Sequence, residues 1–295
     1  MGYPPRVMRP QLIRSFTDAA LSPDPELASA ALMIARVEYA NVDEARYLAE
    51  LDFIGVEAYR RLALAAPSAD APPGVDAGIH AKVLALNELL FDEIGFTGNE
   101  TDYEDPRNSF LNEVLDRRTG IPITLSLVYL EVARRAGLPV EGVNYPGHFL
   151  VRCRTPRTSP HTEDLVIDPF HRGTLLSRER LARQPGGTRL PRATKPQILT
   201  RMLMNLKRVY VRMQSIPQAR EIADLLIAVD PSAIHELRDR GLMAYQMNDF
   251  AAALRDLQAY LNLIPSGEQD DEARQDREQI WEHVKTLRSK VASLN

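Results

Sequence analysis

One segment constrains the fold more than any other: residues 119–139, which read TGIPITLSLVYLEVARRAGLP. Thr119 is placed to cap a helix, and Pro122 suits its first turn. Gly137 suits the left-handed residue that ends a helix, and Pro139 prevents the helix from continuing. Most residues between these signals are apolar, so the sequence predicts a bounded helix buried in the centre of its domain.

Three segments after this helix have the composition of β-strands, namely residues 139–144, 148–154 and 165–168. They are short and rich in Val, Leu and Ile, and the second, HFLVRCR, alternates between two faces. Residues 155–163 form a polar turn between the last two. A helix followed by antiparallel strands predicts a domain of the α+β class.

The part of the chain before the central helix is predicted to be a helical subdomain. Asp24 can cap a helix whose first turn holds Pro25, and apolar residues then recur at helical spacing. Further amphipathic helices are predicted over residues 42–62 and 80–94. Residues 66–78, rich in proline and glycine, connect them.

The sequence from residue 199 onwards is helical and carries an internal repeat. Pro231 and Pro265 lie 34 residues apart, and so do Ala219 and Ala253. This spacing is the tetratricopeptide period, although a plain helical bundle stays open because fewer than three repeats are visible. The predicted domains are 1–198, with a core at about 91–177, and 199–295.

The charge and the cysteine content restrict location and partners. A formal net charge of -4 provides no strong basic field, which argues against nucleic acid and anionic membrane surfaces as partners. Apolar runs such as 123–130 fall short of the roughly 20 residues that a bilayer span requires. The single cysteine, Cys153, cannot form an internal disulfide, which fits a reducing cytoplasm.

Neither a metal nor a cofactor is predicted. The acidic stretch 95–109 does not match the ligand spacing of a calcium loop, so we interpret it as a solvated loop. No glycine-rich phosphate loop follows a strand. Five histidines show no metal-ligand spacing with a cysteine or carboxylate: His80, His161, His171, His235 and His283.

His148 and Asp168 are the candidate chemical pair. They are equidistant from residue 158, in the middle of the polar turn. If the flanking strands pair about that turn, the two residues face each other with Cβ atoms about 5 Å apart. The carboxylate could then orient the imidazole as in hydrolytic triads, but on spacing alone a structural histidine is the default reading.

A family resemblance adds a role to this pair. A helix ending in RRAGLP, followed by strands bearing PGHFL and VIDPF, resembles the transglutaminase-like core of papain type, in which a cysteine at a helix N-terminus faces His and Asp. The segment LNEVLDRRTGIPITLSLVYLEVARRAGLPVEGVNYPGHFLVR, with IDPFHRG after it, is similar to bacterial SirB-type proteins. Those proteins join such a core to C-terminal tetratricopeptide repeats.

The resemblance implies that His148 is the triad base and Asp168 its orienting acid. The nucleophile of cysteine-bearing relatives stands about fifteen residues before the glycine of the GLP-like turn, a position that here holds Pro122. Proline has no nucleophilic side chain. Cys153 lies five residues after His148 on the same strand and therefore points to the opposite face, where it is expected to pack in the core.

Two hydroxyls near this helix N-terminus, those of Thr124 and Ser126, are substitute nucleophile candidates because a helix N-terminus favours developing negative charge. Side chains within a helix more often bond the preceding turn, so a structural role is the competing reading. Asn144 and Tyr145, just before His148, are candidates to line a cleft.

Two functions follow as expectations. The first is a non-catalytic, cysteine-less transglutaminase-like protein that binds a protein or peptide, with the repeats as its interaction module. The second is a peptidase-like hydrolase or acyl transferase that uses His148 and Asp168 with Ser126 or Thr124 as nucleophile.

Overall fold

The computed structural model describes residues 10–156, 163–183, 189–264 and 271–294 of the 295-residue chain. The chain divides into two compact units, Ala19–Met202 and Leu203–Asn295, the second together with residues 10–18. The first unit combines helices with a sheet, and the described part of the second is helical. The predicted α+β fold followed by an all-helical region is therefore confirmed.

Helices α1 to α12 are Pro10–Leu21, Ala28–Ala35, Glu44–Leu64, Ala77–Asn87, Leu111–Arg117, Pro122–Arg135, Arg178–Ala182, Lys195–Arg212, Ile216–Val229, Ile234–Gln246, Phe250–Leu263 and Asp271–Leu294. A π-helical turn, Glu88–Glu93, continues α4, and 3-10 turns occupy Pro106–Ser109 and Pro169–His171. Strands β1 to β6 are Thr97–Gly98, Thr119–Gly120, Val140–Tyr145, His148–Cys153, Leu165–Asp168 and Thr174–Leu176.

The central helix α6 forms where the sequence predicts it. Every residue from Pro122 to Ala133 is buried, and Gly137 takes a φ of 74° beyond its C-terminus. The predicted cap at Thr119 is wrong because Thr119 belongs to β2, which pairs in parallel with β1. Ile121 is the N-cap instead, and its N–H donates to Oγ1 of Thr124 at 3.1 Å.

The helices before α6 confirm the predicted subdomain, with one difference at α2. This helix begins at Ala28 and not at Pro25. The N–H of Leu27 donates to Oε1 of Glu131, a buried carboxylate of α6, at 2.8 Å. The N–H of Leu27, the N-cap residue, is therefore bonded to a side chain of another helix. Helix α3 is capped by Asp43, which accepts the N–H of Arg46 at 3.1 Å.

Strands β3 to β6 form an antiparallel sheet in chain order. Its three longer strands lie where they are predicted, whereas β6 has only three residues and no alternating pattern to reveal it. An apolar cluster on the sheet brings together Val143, Leu150, Val166 and Leu181. The cluster joins three strands to α7 and so holds the ends of β4 and β5 in place.

Two helices of the second unit repeat at the predicted interval. Helices α9 and α11 each contain 14 residues and begin at Ile216 and Phe250, which are 34 positions apart. The equivalent alanines, Ala219 and Ala253, are both fully buried. A Cβ at Gly241 of α10 would meet the Leu257 side chain at 2.7 Å, so glycine allows α10 and α11 to pack closely. Pro265 lies outside the described residues.

Candidate functional site

The nucleophile position of the predicted triad is occupied by Pro122, the first residue of α6. A proline fits there because the first N–H of a helix has no partner within the helix. Pro122 is buried and has no atom that can attack a carbonyl. The N-terminus of α6 therefore offers no thiol.

The two substitute hydroxyls are buried and hydrogen-bonded. Thr124 donates through Oγ1 to the carbonyl of Asn108 at 2.7 Å, and Ser126 donates through Oγ to the carbonyl of Phe149 at 3.3 Å. Both side chains have no exposed surface. Within the described residues, neither hydroxyl bonds to the imidazole of His148. Their contacts attach α6 to the preceding 3-10 turn and to β4.

His148 is placed by a tight turn between β3 and β4. It pairs with Tyr145 across Pro146 and Gly147, and Gly147 takes a φ of 74°. Proline followed by a left-handed glycine is the composition of a type II turn. The carbonyl of His148 accepts a hydrogen bond from Arg201 at 2.9 Å. Nδ1 of the His148 ring is buried and has no hydrogen-bond partner among the described residues.

The predicted pairing of His148 directly opposite Asp168 is wrong by two residues. Val151 pairs with Ile167 and Cys153 with Leu165, so the ladder sets Asp168 at the level of Leu150. Next to this ladder, the N–H of Thr155 donates to Oδ1 of Asp164 at 3.1 Å. A shift of two residues preserves the face, so His148 and Asp168 still lie on one side of the sheet.

Asp168 bonds to His171, a residue for which sequence reasoning predicted no role. Oδ1 of Asp168 accepts the N–H groups of Phe170 at 3.1 Å and His171 at 3.4 Å. Its Oδ2 lies 2.7 Å from Nδ1 of His171. The carboxylate thus caps the 3-10 turn and orients an imidazole at the same time.

The His171 ring faces the His148 ring at a centroid distance of 6.0 Å. The candidate site therefore contains His148, Asp168 and His171. The sequence Asp-Pro-Phe-His contains a signal for His171. An aspartate before a proline caps a turn, and the residue three positions after the aspartate then lies close to its carboxylate. Metal-ligand spacing does not indicate this contact, because His171 pairs with a carboxylate.

Asn144 and Tyr145 both lie beside the turn that holds His148. Oδ1 of Asn144 accepts a hydrogen bond from Arg201 at 3.3 Å, and the Tyr145 hydroxyl donates to the carbonyl of Leu181 at 3.4 Å. Both side chains are half-buried. These contacts fix the turn against α8 and α7.

Cys153 is fully buried at the far end of β4. Burial raises the pKa of its thiol to about 12, and the Asp164 carboxylate adds to the effect. A nucleophilic cysteine needs a lowered pKa and access to solvent, and Cys153 has neither.

The remaining candidates have packing partners or lie outside the description. His235 lies against Tyr260 and His283 against Tyr245, at centroid distances of 6.0 and 5.2 Å. His80 is buried, and His161 lies outside the described residues. Within the described ranges no three His, Cys, Asp or Glu side chains are grouped to hold a metal ion. No described helix is long and apolar enough to cross a membrane.

Comparison with known families decides the nature of the first unit. A family model described as the transglutaminase-like superfamily matches residues 45–213, more than half of the chain. The chain belongs to the transglutaminase-like superfamily. A tetratricopeptide repeat model matches residues 206–284, so the helical region of this superfamily member contains tetratricopeptide repeats.

Similar proteins occur in bacteria and in animals. The UPF0162 protein of Xylella fastidiosa strain Temecula1 is 39% identical over 206 residues, covering 65% of this chain and 72% of the relative. The UPF0162 protein of Vibrio cholerae is 30% identical over 196 residues, covering 63% and 71%. F-box only protein 21 of Homo sapiens is 37% identical over 163 residues, covering 52% of this chain but only 26% of that protein.

Proposed function

We propose that this chain is a non-catalytic recognition protein, in which the transglutaminase-like unit binds a protein or peptide and the tetratricopeptide repeats serve as an interaction module. One observation carries the proposal. Pro122 begins α6, and the family resemblance assigns this position to the cysteine nucleophile of related proteins. Without that thiol, the retained His148 and Asp168 have no attacking atom to activate.

The surroundings of Pro122 support recognition over a rebuilt active site. The nearby hydroxyls of Thr124 and Ser126 are buried and donate to backbone carbonyls. Cys153 is buried with a raised pKa. No described nucleophile near α6 is therefore both exposed and free to react.

The repeats support a macromolecular partner. Tetratricopeptide repeats stack helix pairs into extended surfaces that accept a segment of another protein. The net charge of -4 favours such a partner over nucleic acid or a membrane surface. We further propose a cytoplasmic location and a domain boundary near residue 198. We group the protein with the SirB-type proteins because its motifs appear in the same order as theirs.

A turnover assay tests the proposal. Purified protein is incubated with casein and a fluorescent primary amine, with and without iodoacetamide, and amide hydrolysis is followed in parallel. We expect no turnover above that of heat-denatured protein. Turnover that iodoacetamide abolishes would overturn the proposal.

A hydrolase or acyl transferase with a hydroxyl nucleophile is the second candidate. The contact between Asp168 and Nδ1 of His171 favours it, because an acid that orients an imidazole is part of hydrolytic machinery. Its test is the effect of His148→Ala, His171→Ala, Ser126→Ala and Thr124→Ala on any measured turnover. Activity that survives all four changes would eliminate this site.

A further inference from the structure

Arg201 of α8 is a half-buried cation without an acidic partner among the described residues. Its guanidinium donates to Oδ1 of Asn144 at 3.3 Å and to the carbonyl of His148 at 2.9 Å, and both acceptors are neutral. Burial lowers the pKa of Arg201, and the nearby Tyr103 hydroxyl only partly counters this. A desolvated cation normally has an anionic partner, because removing it from water is costly.

Other arginines of the same unit follow that rule. Arg135 pairs with Glu131, and Arg152 pairs with Glu141, and both glutamates are buried. Asp168, the carboxylate of the candidate site, already accepts two backbone N–H groups and bonds His171. These contacts use both oxygens of Asp168, and among the described residues no carboxylate compensates the positive charge of Arg201.

The guanidinium of Arg201 has unused N–H donors and packs against an aromatic ring. Arginine has five N–H donors, and the two described bonds leave about three unused. The side chain lies over the Phe149 ring, with its central carbon 5.6 Å from the ring centroid. Arg201 and Asn144 are both half-buried, so each residue keeps part of its surface exposed to solvent.

We propose that Arg201, with Asn144 beside it, binds a carboxylate of a peptide ligand. The planar fork of a single arginine matches the two oxygens of a carboxylate. A phosphate site would be expected to gather further permanent cations or a helix N-terminus around the arginine. The carboxylate can belong to a chain end or to an Asp or Glu side chain. This inference rests on the proposed peptide-binding function and names the chemical group that Arg201 recognises.

Three small probes test the site on the full-length protein. N-acetylglutamine has a free α-carboxylate, its isomer N-acetylisoglutamine has a free γ-carboxylate, and N-acetylglutaminamide is uncharged. Each is titrated into ¹⁵N-labelled protein while the side-chain Nε–H signal of Arg201 is followed by NMR. We expect a saturable shift with at least one carboxylate and none with the diamide.

Matched variants show whether the fork geometry matters. Arg201→Lys retains the charge but loses the planar fork, and we expect it to weaken carboxylate binding at least tenfold. Arg208→Lys changes an exposed arginine of the same helix and should bind like the wild type. If Arg201→Lys fails to fold, the comparison of the carboxylates with the diamide on wild-type protein still decides.

The two carboxylate isomers distinguish the sources of the ligand group. Binding of N-acetylglutamine alone indicates a chain end, and binding of N-acetylisoglutamine alone indicates an acidic side chain. Equal shifts with the diamide, or none with either carboxylate, would overturn the site and assign Arg201 to fastening the turn alone. Thiol-dependent turnover with intact carboxylate binding would instead overturn only the non-catalytic function.

Discussion

At the scale of single residues, Cys153 has a thiol that the fold keeps from reacting. It has no exposed surface, and burial raises its pKa to about 12. Ellman's reagent at pH 8 should therefore leave native protein unlabelled and should label one thiol per chain after unfolding in guanidinium chloride. Cys153→Ala should stay folded, with a loss of about 1 kcal/mol. Rapid labelling of the native protein would contradict this placement.

Asp168 should set the tautomer of His171. Because Oδ2 lies 2.7 Å from Nδ1, we expect the neutral ring to carry its proton on Nδ1. In Asp168→Asn the amide can present its N–H to the same nitrogen, so a substantial fraction of the ring should move its proton to Nε2. Ring ¹⁵N chemical shifts measure this directly, with His235 as an internal control. An Nε2–H tautomer in the wild type would be incompatible with the site.

The residues of the site were only partly predictable. Alternating polarity in HFLVRCR was enough to place His148 on a strand, and the same spacing argument put Asp168 on the same face. The register was missed because the prediction assumed strands pairing symmetrically about residue 158, whereas the ladder pairs Val151 with Ile167. The pairing of Asp168 with His171 was missed because it occurs within a 3-10 turn, which has no periodic pattern.

At the scale of elements, a buried ion cluster joins α8 to α10. Nζ of Lys207 lies 2.7 Å from both oxygens of Glu236 and 2.8 Å from Oδ2 of Asp239. Lys207→Met would leave both carboxylates without this partner, and we expect the free energy of unfolding to fall by about 3–5 kcal/mol. Urea denaturation measures the change.

The matched control for that variant is Lys285→Met. Lys285 pairs with Glu282 on α12 at 2.6 Å, but their side chains are 50% and 71% exposed. Exposed pairs contribute about 0–1 kcal/mol, so this variant should unfold close to the wild type. Equal losses in the two variants would mean that the Lys207 cluster is not buried as described.

Asp239 gives the cluster a pH dependence. Burial alone raises the pKa of this carboxyl, but the Lys207 ammonium and the Arg238 guanidinium outweigh it and hold the pKa below the ordinary 3.8. The stabilisation is therefore fully present above the unfolded pKa and is lost as pH falls through the lower folded pKa. Asp239→Asn should be less stable than wild type at pH 7, and the gap should close below about pH 4. Urea curves at pH 7, 5 and 3 measure it, and a constant gap would refute the assignment.

The elements that the sequence predicts well are those with strong local signals. Helix α6 has proline at its start and glycine after its end. Helices α9 and α11 begin and end at equivalent positions because their sequences repeat. Helix α2 begins later in the sequence than predicted, and the N–H of Leu27 just before it donates to Glu131, which is distant in sequence. Contacts between residues far apart in sequence leave no local pattern to read.

At the scale of the whole molecule, a transglutaminase-like unit is followed along the chain by tetratricopeptide repeats. The first unit contains the buried helix α6 and the sheet that carries His148 and Asp168. Pro122 has no nucleophilic side chain, and Arg201, which donates to the carbonyl of His148, has no acidic partner among the described residues. Both observations support the proposed function of binding a ligand without forming a covalent bond to it.

Covalent trapping tests that claim most directly. The protein is incubated with p-nitrophenyl acetate and, separately, with a glutamine-containing donor peptide, quenched in acid and weighed intact by mass spectrometry, followed by peptide mapping of residues 119–153. We predict no acyl adduct on Thr124, Ser126 or Cys153, since all three side chains are buried and the two hydroxyls donate to backbone carbonyls. A stoichiometric acyl adduct on Thr124, Ser126 or Cys153 would contradict the account.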